Sequence, residues 1–251
     1  MTRGTPASGS LTVHLVRHGQ TASYAEDAGL TALGREQATD GGTALGATVA
    51  DGEHVTFVFA PTLRARETAE LLRAGLLEQT AERGITLTGT GIQVEPGYRN
   101  LQVWADDRPA EPTQARRRAV ELAAGPGVPP GWVTEAARFW NAHETGDAMG
   151  FWLSTPLLWH EPPASVVHRM VRTSVDRVAD GADRRLVVGS HSGCLRAMVM
   201  WAAGEDPGEP DNGEDVVLTV AAGSDLVTVS YGGRVWEARV PAGPLDWTTD
   251  S

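Results

Sequence analysis

The sequence contains no lysine, so all 21 of its basic residues are arginine. P-loop nucleotide triphosphatases, Schiff-base enzymes and pyridoxal phosphate enzymes each need a lysine amine, and these classes are therefore excluded. Cys194 is the one cysteine, so the chain can form neither an internal disulfide nor a cysteine-based zinc site. Long hydrophobic runs are also missing, and none would span a bilayer.

Positive charge is in short supply, with a formal net charge of -11 at pH 7. Nucleic acids and anionic membranes attract basic surfaces, so we expect neither as a partner. Residues 1–10 are small and polar and lack the apolar centre of a signal peptide, which favours a cytoplasmic location. An anionic small molecule would need a local basic pocket, and a homodimer is left open.

Three hydrophobic segments are each followed by basic or nucleophilic side chains. Residues 11–16 lead into Arg17 and His18, residues 54–60 lead into a helix with Arg64 in its first turn, and residues 186–190 lead into His191. Each side chain alone is compatible with an ordinary role, such as a solvated arginine or a structural histidine. Because parallel strands bring their carboxyl ends to one edge, the three together predict an anion pocket suited to phosphate.

The alternation of strand and helix patterns predicts an α/β fold with a doubly wound, mostly parallel sheet and helices on both faces. Thr31 is expected to cap a helix that runs to about Ala50, weakened at Gly41-Gly42. Pro61 is expected at the start of the next helix. One or two strands are predicted in residues 85–95, a helix across residues 167–178, and a C-terminal β-hairpin that turns at Gly232-Gly233.

We expect a single domain over residues 1–251, with loose tails at 1–10 and 241–251. Residues 99–163 differ from the rest, because proline and glycine interrupt them often. We interpret this segment as an insertion with short helices that forms a lid over the strand ends. It holds five of the eight tryptophans, for which packing under the lid is favoured over stacking on substrate: Trp104, Trp132, Trp140, Trp152 and Trp159.

Four segments carry a resemblance to a known family. They are Leu-Val-Arg-His-Gly-Gln-Thr at 15–21, Leu-Thr-Ala-Leu-Gly-Arg-Glu-Gln-Ala at 30–38, Ala-Pro-Thr-Leu-Arg-Ala-Arg-Glu-Thr-Ala at 60–69 and Ser-His-Ser-Gly at 190–193. With these segments, which span about residues 11–200, the chain resembles the histidine phosphatase superfamily, also called the phosphoglycerate mutase-like family. The resemblance implies that family's fold.

The resemblance also implies roles for individual residues. His18 would be the nucleophile that becomes phosphohistidine, while Arg17, Arg64 and His191 would hold the phosphoryl oxygens, with Gly19 and Thr21 as further phosphate contacts. An uncharged imidazole can attack phosphorus, and phosphoryl transfer requires mainly positioning and positive charge. The expected function is metal-independent and cofactor-free hydrolysis of a small organic phosphate monoester through a phosphohistidine.

Two departures from the family pattern stand out. Asn100 lies where the family carries a glutamate that protonates the leaving oxygen, and Tyr24 lies near the place of a usual asparagine. Four acids are candidates to replace the glutamate, although each alone is more typical of a solvated surface: Glu95, Asp106, Asp107 and Glu111.

The departures leave other functions open. One alternative is a phosphotransferase or mutase of the same family, although the Glu-Arg-His-Tyr-Gly run of phosphoglycerate mutases is not present. Another is a phospholigand-binding or chemically redirected protein without a general acid. The aromatic residues of the predicted lid favour an organic, partly apolar leaving group over a highly charged one.

Overall fold

The computed structural model describes residues 9–24, 26–179, 184–242 and 247. Within these residues, a central sheet has seven strands in the order β3-β2-β6-β1-β7-β8-β9. Its strands are β1 (Ser10–Arg17), β2 (Val55–Phe59), β3 (Ile92–Val94), β6 (Arg185–Ser190), β7 (Asp215–Ala221), β8 (Leu226–Tyr231) and β9 (Arg234–Arg239). The helices are α1 (Ala32–Gly46), α2 (Leu63–Glu82), α3 (Pro112–Ala124), α4 (Gly131–Thr145), α5 (Ala148–Ser154), α6 (Pro163–Ala179) and α7 (Ser192–Ala203).

The four strands on one side of the sheet run parallel. β1 pairs with β6, β6 with β2, and β2 with β3. The other three strands are antiparallel, because β7 pairs with β1, β8 with β7, and β9 with β8. The C-terminal part is therefore a three-stranded meander and not a hairpin alone, although Gly232-Gly233 does turn between β8 and β9.

Helices cover both faces of the sheet, as the sequence predicts for strands that are buried on both sides. Leu11, Val13 and Leu15 of β1 belong to a core shared with α6 and α7. Val16 of the same strand faces the opposite way, into a core that includes Leu72 of α2. The alternation of side chains along β1 thus divides the interior into two layers.

Several predicted boundaries are wrong by a few residues. Ser10 belongs to β1 and not to a tail, because it pairs with Ala221 of β7. The helix capped by Thr31 ends at Gly46 and not near Ala50. The second helix begins at Leu63 after Pro61, because the Thr62 side chain accepts a hydrogen bond from the backbone N–H of Ala65 and acts as N-cap.

Gly41-Gly42 does not weaken α1, which is continuous through both residues. A Cβ atom on Gly42 would lie 2.2 Å from the carbonyl oxygen of Leu72 in α2. The missing side chain therefore allows close contact between two helices. The expectation that the two glycines interrupt α1 is wrong, because the sequence of one helix does not show which helix packs closely against its glycines.

Residues 99–163 contain helices, as predicted, and a small hairpin, but only α5, with 7 residues, is short, whereas α3 and α4 have 13 and 15 residues. β4 (Val103–Ala105) pairs with β5 (Arg108–Ala110), and α3, α4 and α5 follow. The hairpin, α3 and α4 share a cluster of buried side chains that includes Trp132 and Val133, whereas Trp152 of α5 belongs to the core beside the sheet. The Trp152 indole N–H donates to the backbone carbonyl of Glu161 at 2.8 Å. Trp132 and Trp152 are both buried, so these two tryptophans serve packing.

Residues 1–8, 243–246 and 248–251 of the two predicted tails lie outside the described residues. The interpretation of the whole chain as one domain stays a prediction. Over the described ranges, no helix is both long and apolar enough to cross a membrane.

Candidate active site

The carboxyl ends of β1, β6 and β2 lie side by side. The backbone N–H of His18 donates to the carbonyl of Ser190 at 2.9 Å, and that of Ala60 donates to the carbonyl of Gly189 at 2.9 Å. The ladder thus continues one residue past β1 and one residue past β2. β2 then leads into α2, and β6 leads into α7. This arrangement brings Arg17, His18, Arg64 and His191 together, as the sequence predicts.

A cavity of about 250 Å³ lies at this edge of the sheet. The four predicted side chains contribute to its inner wall, and the segment 99–163 covers it from the other side. The residues that line it are Arg17, His18, Tyr24, Arg64, Asn100, Glu111, Pro112, Thr113, Phe139, Trp140, His143, Gly146, Asp147, Ala148, Met149, His191, Ser192, Gly193 and Glu209.

His18 is buried, and its ring has a defined orientation. Nδ1 lies 2.8 Å from the carbonyl oxygen of Gly19, which can only accept a hydrogen bond, so Nδ1 carries the proton. Nε2 therefore keeps its lone pair. Burial, followed by the positive charge of Arg64, lowers the pKa of His18 from 6.5 to about 3. The imidazole is uncharged at neutral pH and able to act as a nucleophile.

His191 lies next to His18 as the N-cap residue of α7, with 5.4 Å between the two ring centroids. Its Nε2 is 3.4 Å from the hydroxyl oxygen of Thr62. Burial, and then the charge of Arg64, lowers the pKa of His191 well below the usual value. Both imidazoles of the pocket are thus uncharged at neutral pH, and the positive charge comes from the arginines.

Each guanidinium of the pocket is partly paired and partly free. Arg17 bonds Glu209 at 2.9 Å, and Arg64 bonds Glu111 at 2.7 Å and Asp27 at 3.1 Å. The Nε atoms of both arginines are buried and have no hydrogen-bond partner among the described residues. Buried donors without partners are rare in folded proteins. Arg17 and Arg64 both line the cavity, which is of a size that admits a phosphoryl group.

Gly19 and Thr21 do not line the cavity. The N–H of Gly19 donates to the Thr68 hydroxyl at 3.1 Å, and the Thr21 hydroxyl donates to the carbonyl of Gly29 at 2.7 Å. A Cβ on Gly19 would lie 2.1 Å from the carbonyl oxygen of Gly34, so the glycine allows two backbones to meet. The structure therefore places both predicted phosphate contacts in packing and loop positions.

Three of the four candidate acids point away from the cavity. Glu95 pairs with Arg177 at 2.7 Å, and Asp106 pairs with Arg118 at 2.9 Å. Asp107 is exposed in the turn between β4 and β5. None of the three lines the cavity, so these placements do not support a role at the site.

Glu111 does line the cavity. It precedes α3 as the N-cap residue, and its Oε2 accepts from the backbone N–H of Thr113 at 2.7 Å. Its Oε1 accepts from Arg64 at 2.7 Å and from the Asn100 amide at 3.0 Å. Asn100 thus positions a carboxylate that reaches the site from another segment of the chain.

The outer wall of the cavity is largely aromatic. The ring of His143 makes edge contacts with Tyr24 and Trp140, at centroid distances of 5.4 and 5.2 Å. Phe139 contacts Trp140 at 5.7 Å. One tryptophan of the predicted lid therefore lines the opening, while Trp132 and Trp152 are buried in packing.

Residues 204–214, an acidic loop between α7 and β7, also contribute to the site, although the sequence motifs give no indication of it. Glu209 contacts Arg17, and the Asn212 amide donates to the backbone carbonyl of His18 at 2.8 Å. The loop leads into β7, which runs antiparallel beside β1, so it must cross the carboxyl end of β1. The loop lies there because β7 pairs with β1, and no local sequence pattern shows that pairing.

The described part of the chain contains no group of three or more histidine, cysteine, aspartate or glutamate side chains arranged to hold a metal ion. The expectation that the protein uses no metal stays a prediction.

Residues 13–86 match the family model of the histidine phosphatase superfamily (branch 1). This match covers the segments around Arg17, His18 and Arg64, and it confirms the resemblance seen in the motifs. No match is found among curated proteins.

Two solved structures are similar to this chain. The chain is similar to a phosphoglycerate mutase from Bacillus anthracis str. Sterne, with 15% identity, a TM-score of 0.51, and coverage of 90% of this chain and 94% of that one. It is also similar to a mycobacterial glucosyl-3-phosphoglycerate phosphatase, with 21% identity, a TM-score of 0.46, and coverage of 84% and 89%. The first comparison confirms the phosphoglycerate mutase-like fold.

Proposed function

We propose that the protein is a phosphatase that hydrolyses a small organic phosphate monoester through a phosphohistidine at His18. The observation that carries this proposal is one cavity that holds two uncharged imidazoles and the guanidiniums of Arg17 and Arg64. The two guanidiniums that line the cavity support an anion as the ligand. Guanidiniums supply the charge that phosphoryl transfer needs, so the reaction requires no metal.

In the first step, the Nε2 lone pair of His18 attacks phosphorus, and the bond between phosphorus and the leaving oxygen breaks. Arg17, Arg64 and the N–H of His191 stabilise the negative charge on the equatorial oxygens. The leaving oxygen takes a proton and departs as an alcohol. In the second step, water gives up a proton and attacks the phosphohistidine, which releases inorganic phosphate and restores His18.

Glu111 is the carboxyl group that we assign to the proton transfers. It is the one of the four candidates that lines the cavity, and it contacts Arg64 at 2.7 Å. A phosphoryl group that binds Arg64 takes the place of this ion pair and adds negative charge beside the carboxylate. Both changes favour the protonated form of Glu111, which then donates to the leaving oxygen.

Phosphate release from 4-ethylphenyl phosphate tests the proposal. We expect His18→Asn to lower kcat by at least about 1,000-fold, because the variant lacks the nucleophile. His14→Asn is the matched control, since His14 lies on the same strand but bonds Asp215 at 2.7 Å, away from the cavity. Full activity of His18→Asn would overturn the proposal.

One observation favours a second candidate, a phospholigand-binding protein. Both carboxylate oxygens of Glu111 already accept hydrogen bonds, from Thr113, Arg64 and Asn100. If these bonds persist with ligand bound, Glu111 cannot donate a proton. Tight binding of inorganic phosphate without turnover of alkyl or aryl phosphates would favour this candidate, whereas turnover of alkyl phosphates at ordinary enzyme rates would exclude it.

A further inference from the structure

The carboxylate of Glu209, a half-exposed residue that lines the cavity, is held by three bonds. Its Oε1 lies 2.9 Å from Nη2 of Arg17. Its Oε2 accepts from the Ser192 hydroxyl at 2.6 Å and from Nη1 of Arg196 at 3.1 Å. Only the first bond involves a side chain that the proposed function assigns to the phosphoryl group.

The other two bonds come from a rigid part of the fold. Ser192 and Arg196 lie on α7, and the Arg196 side chain is only 1% exposed. Its guanidinium is fixed by Asp147 at 2.6 and 2.9 Å and by Asp206 at 2.9 Å. When a phosphoryl group takes over the contact with Arg17, Ser192 and Arg196 therefore keep the Glu209 carboxylate in place. Its Oε1 is then left facing the bound substrate.

Arg196 bonds Glu209 from outside the cavity lining and is shared with Asp147 and Asp206. Among its lining residues, the arginines are Arg17 and Arg64, and the proposed function uses both for the phosphoryl oxygens. The pKa of His143 at the opening is lowered, first by burial and then by the charge of Arg116, so its ring is uncharged at neutral pH. A leaving group in this cavity meets an aromatic wall and a fixed carboxylate, with no guanidinium of the lining left to receive an anion.

We propose that Glu209 is a specificity-determining residue, which selects phosphate monoesters with a neutral or cationic leaving group and rejects those with an anionic one. The proposal rests on the proposed function of the same cavity. Like charges a few ångströms apart in a partly enclosed site repel strongly enough to separate substrates by about tenfold. A cationic group at the same place gains a comparable attraction.

Three aryl phosphates with similar leaving groups test the proposal: O-phosphotyramine (cationic), 4-ethylphenyl phosphate (neutral) and 3-(4-phosphonooxyphenyl)propanoate (anionic). Their charges lie on a side chain remote from the ester, so the chemistry at phosphorus is nearly constant. We compare kcat/KM for the natural protein, Glu209→Gln and the control Glu205→Gln. Glu205 lies in the same acidic loop but pairs with Arg234 at 3.0 Å on the surface.

We expect the natural protein to prefer the cationic over the anionic substrate by about tenfold or more, mainly through KM. Glu209→Gln should reduce this ratio at least fivefold, and Glu205→Gln should leave it unchanged. A preference for the anionic substrate, or an unchanged ratio in Glu209→Gln, would overturn the proposal. If Glu209→Gln does not fold, the result for the natural protein decides: a higher kcat/KM for the cationic substrate supports the proposal, and a higher kcat/KM for the anionic substrate overturns it.

Binding of the three compounds to His18→Asn, measured by calorimetry, separates this proposal from the proposed function. If the natural protein hydrolyses none of the three compounds while His18→Asn binds them with a charge preference, the phosphatase is contradicted and Glu209 is supported as the selecting residue. Hydrolysis or binding without any charge preference contradicts the role of Glu209 alone. Failure of all three compounds to bind contradicts both.

Discussion

At the scale of single residues, the site depends on two histidines that burial keeps uncharged. The pKa of His18 lies at about 3, lowered by burial and then by Arg64, whereas an exposed histidine in the unfolded chain titrates near 6.5. Between these pH values the unfolded chain binds a proton that folded His18 does not. The free energy of unfolding therefore falls as the pH is lowered through this window.

We predict that His18→Asn weakens this pH dependence. Between pH 7 and pH 5.5, His18 should cost the natural protein about 1.3 kcal/mol of its free energy of unfolding, and the variant lacks this contribution. Urea unfolding at both pH values measures the difference. If the natural protein and the variant lose the same free energy of unfolding between the two pH values, His18 is not kept uncharged by the fold.

Glu111 is the residue whose assignment depends most on three-dimensional structure. We predict that Glu111→Gln lowers kcat at least about 100-fold for alkyl phosphates, whose alkoxide is a poor leaving group without a proton. The loss should be less than about tenfold for 4-nitrophenyl phosphate, because its phenolate leaves readily. A series of substrates with graded leaving-group pKa measures the slope of log kcat against that pKa, which should be steeper in the variant.

Asp107→Asn is the matched control for that series, because Asp107 is an exposed acid outside the cavity. It should retain the slope of the natural protein. Equal losses of kcat across all substrates in Glu111→Gln would assign Glu111 to binding or structure and not to proton transfer.

At the scale of secondary structure, the strands that precede the site residues could be predicted from the sequence. The segments that pack beside these elements in space could not. The apolar runs before Arg17, Arg64 and His191 are strong local patterns, and each strand ends within a residue or two of its prediction. Glu209 has no such pattern, because only the antiparallel pairing of β7 with β1 brings its loop across the site. The close contact of α1 with α2 is likewise a property of two segments distant in sequence.

The adjacent glycines of α1 provide a test of that helix contact. A Cβ on Gly42 would lie 2.2 Å from the Leu72 carbonyl oxygen, whereas one on Gly41 would lie 3.2 Å from a Leu72 methyl group. We predict that Gly42→Ala destabilises the protein by about 2–4 kcal/mol, because the helices must separate. Gly41→Ala should stay within about 1 kcal/mol, since its clash is mild and alanine favours the helix.

Thermal and urea unfolding of the two variants measure this difference. Equal destabilisation by both substitutions would contradict a close contact specific to Gly42.

At the scale of the whole molecule, the site is assembled from the sheet and from the segment 99–163 that covers it. The sheet edge supplies the imidazoles and guanidiniums, while the covering segment supplies Glu111 and the aromatic wall. The imidazoles and guanidiniums come directly after predicted strands, so their meeting at the sheet edge could be predicted. The choice of Glu111 among four acids could not, because it depends on how α3 lies against Arg64.

The most direct test of the account is the identity of the phosphorylated residue during turnover. The protein is mixed with ³²P-labelled 4-ethylphenyl phosphate, quenched in alkaline detergent and digested, since phosphohistidine is stable in base and labile in acid. We predict an acid-labile label on the peptide that contains His18, present in His14→Asn and absent in His18→Asn. Turnover of the substrate with the label on another residue, or with no labelled protein under conditions that trap phosphohistidine, would contradict the account.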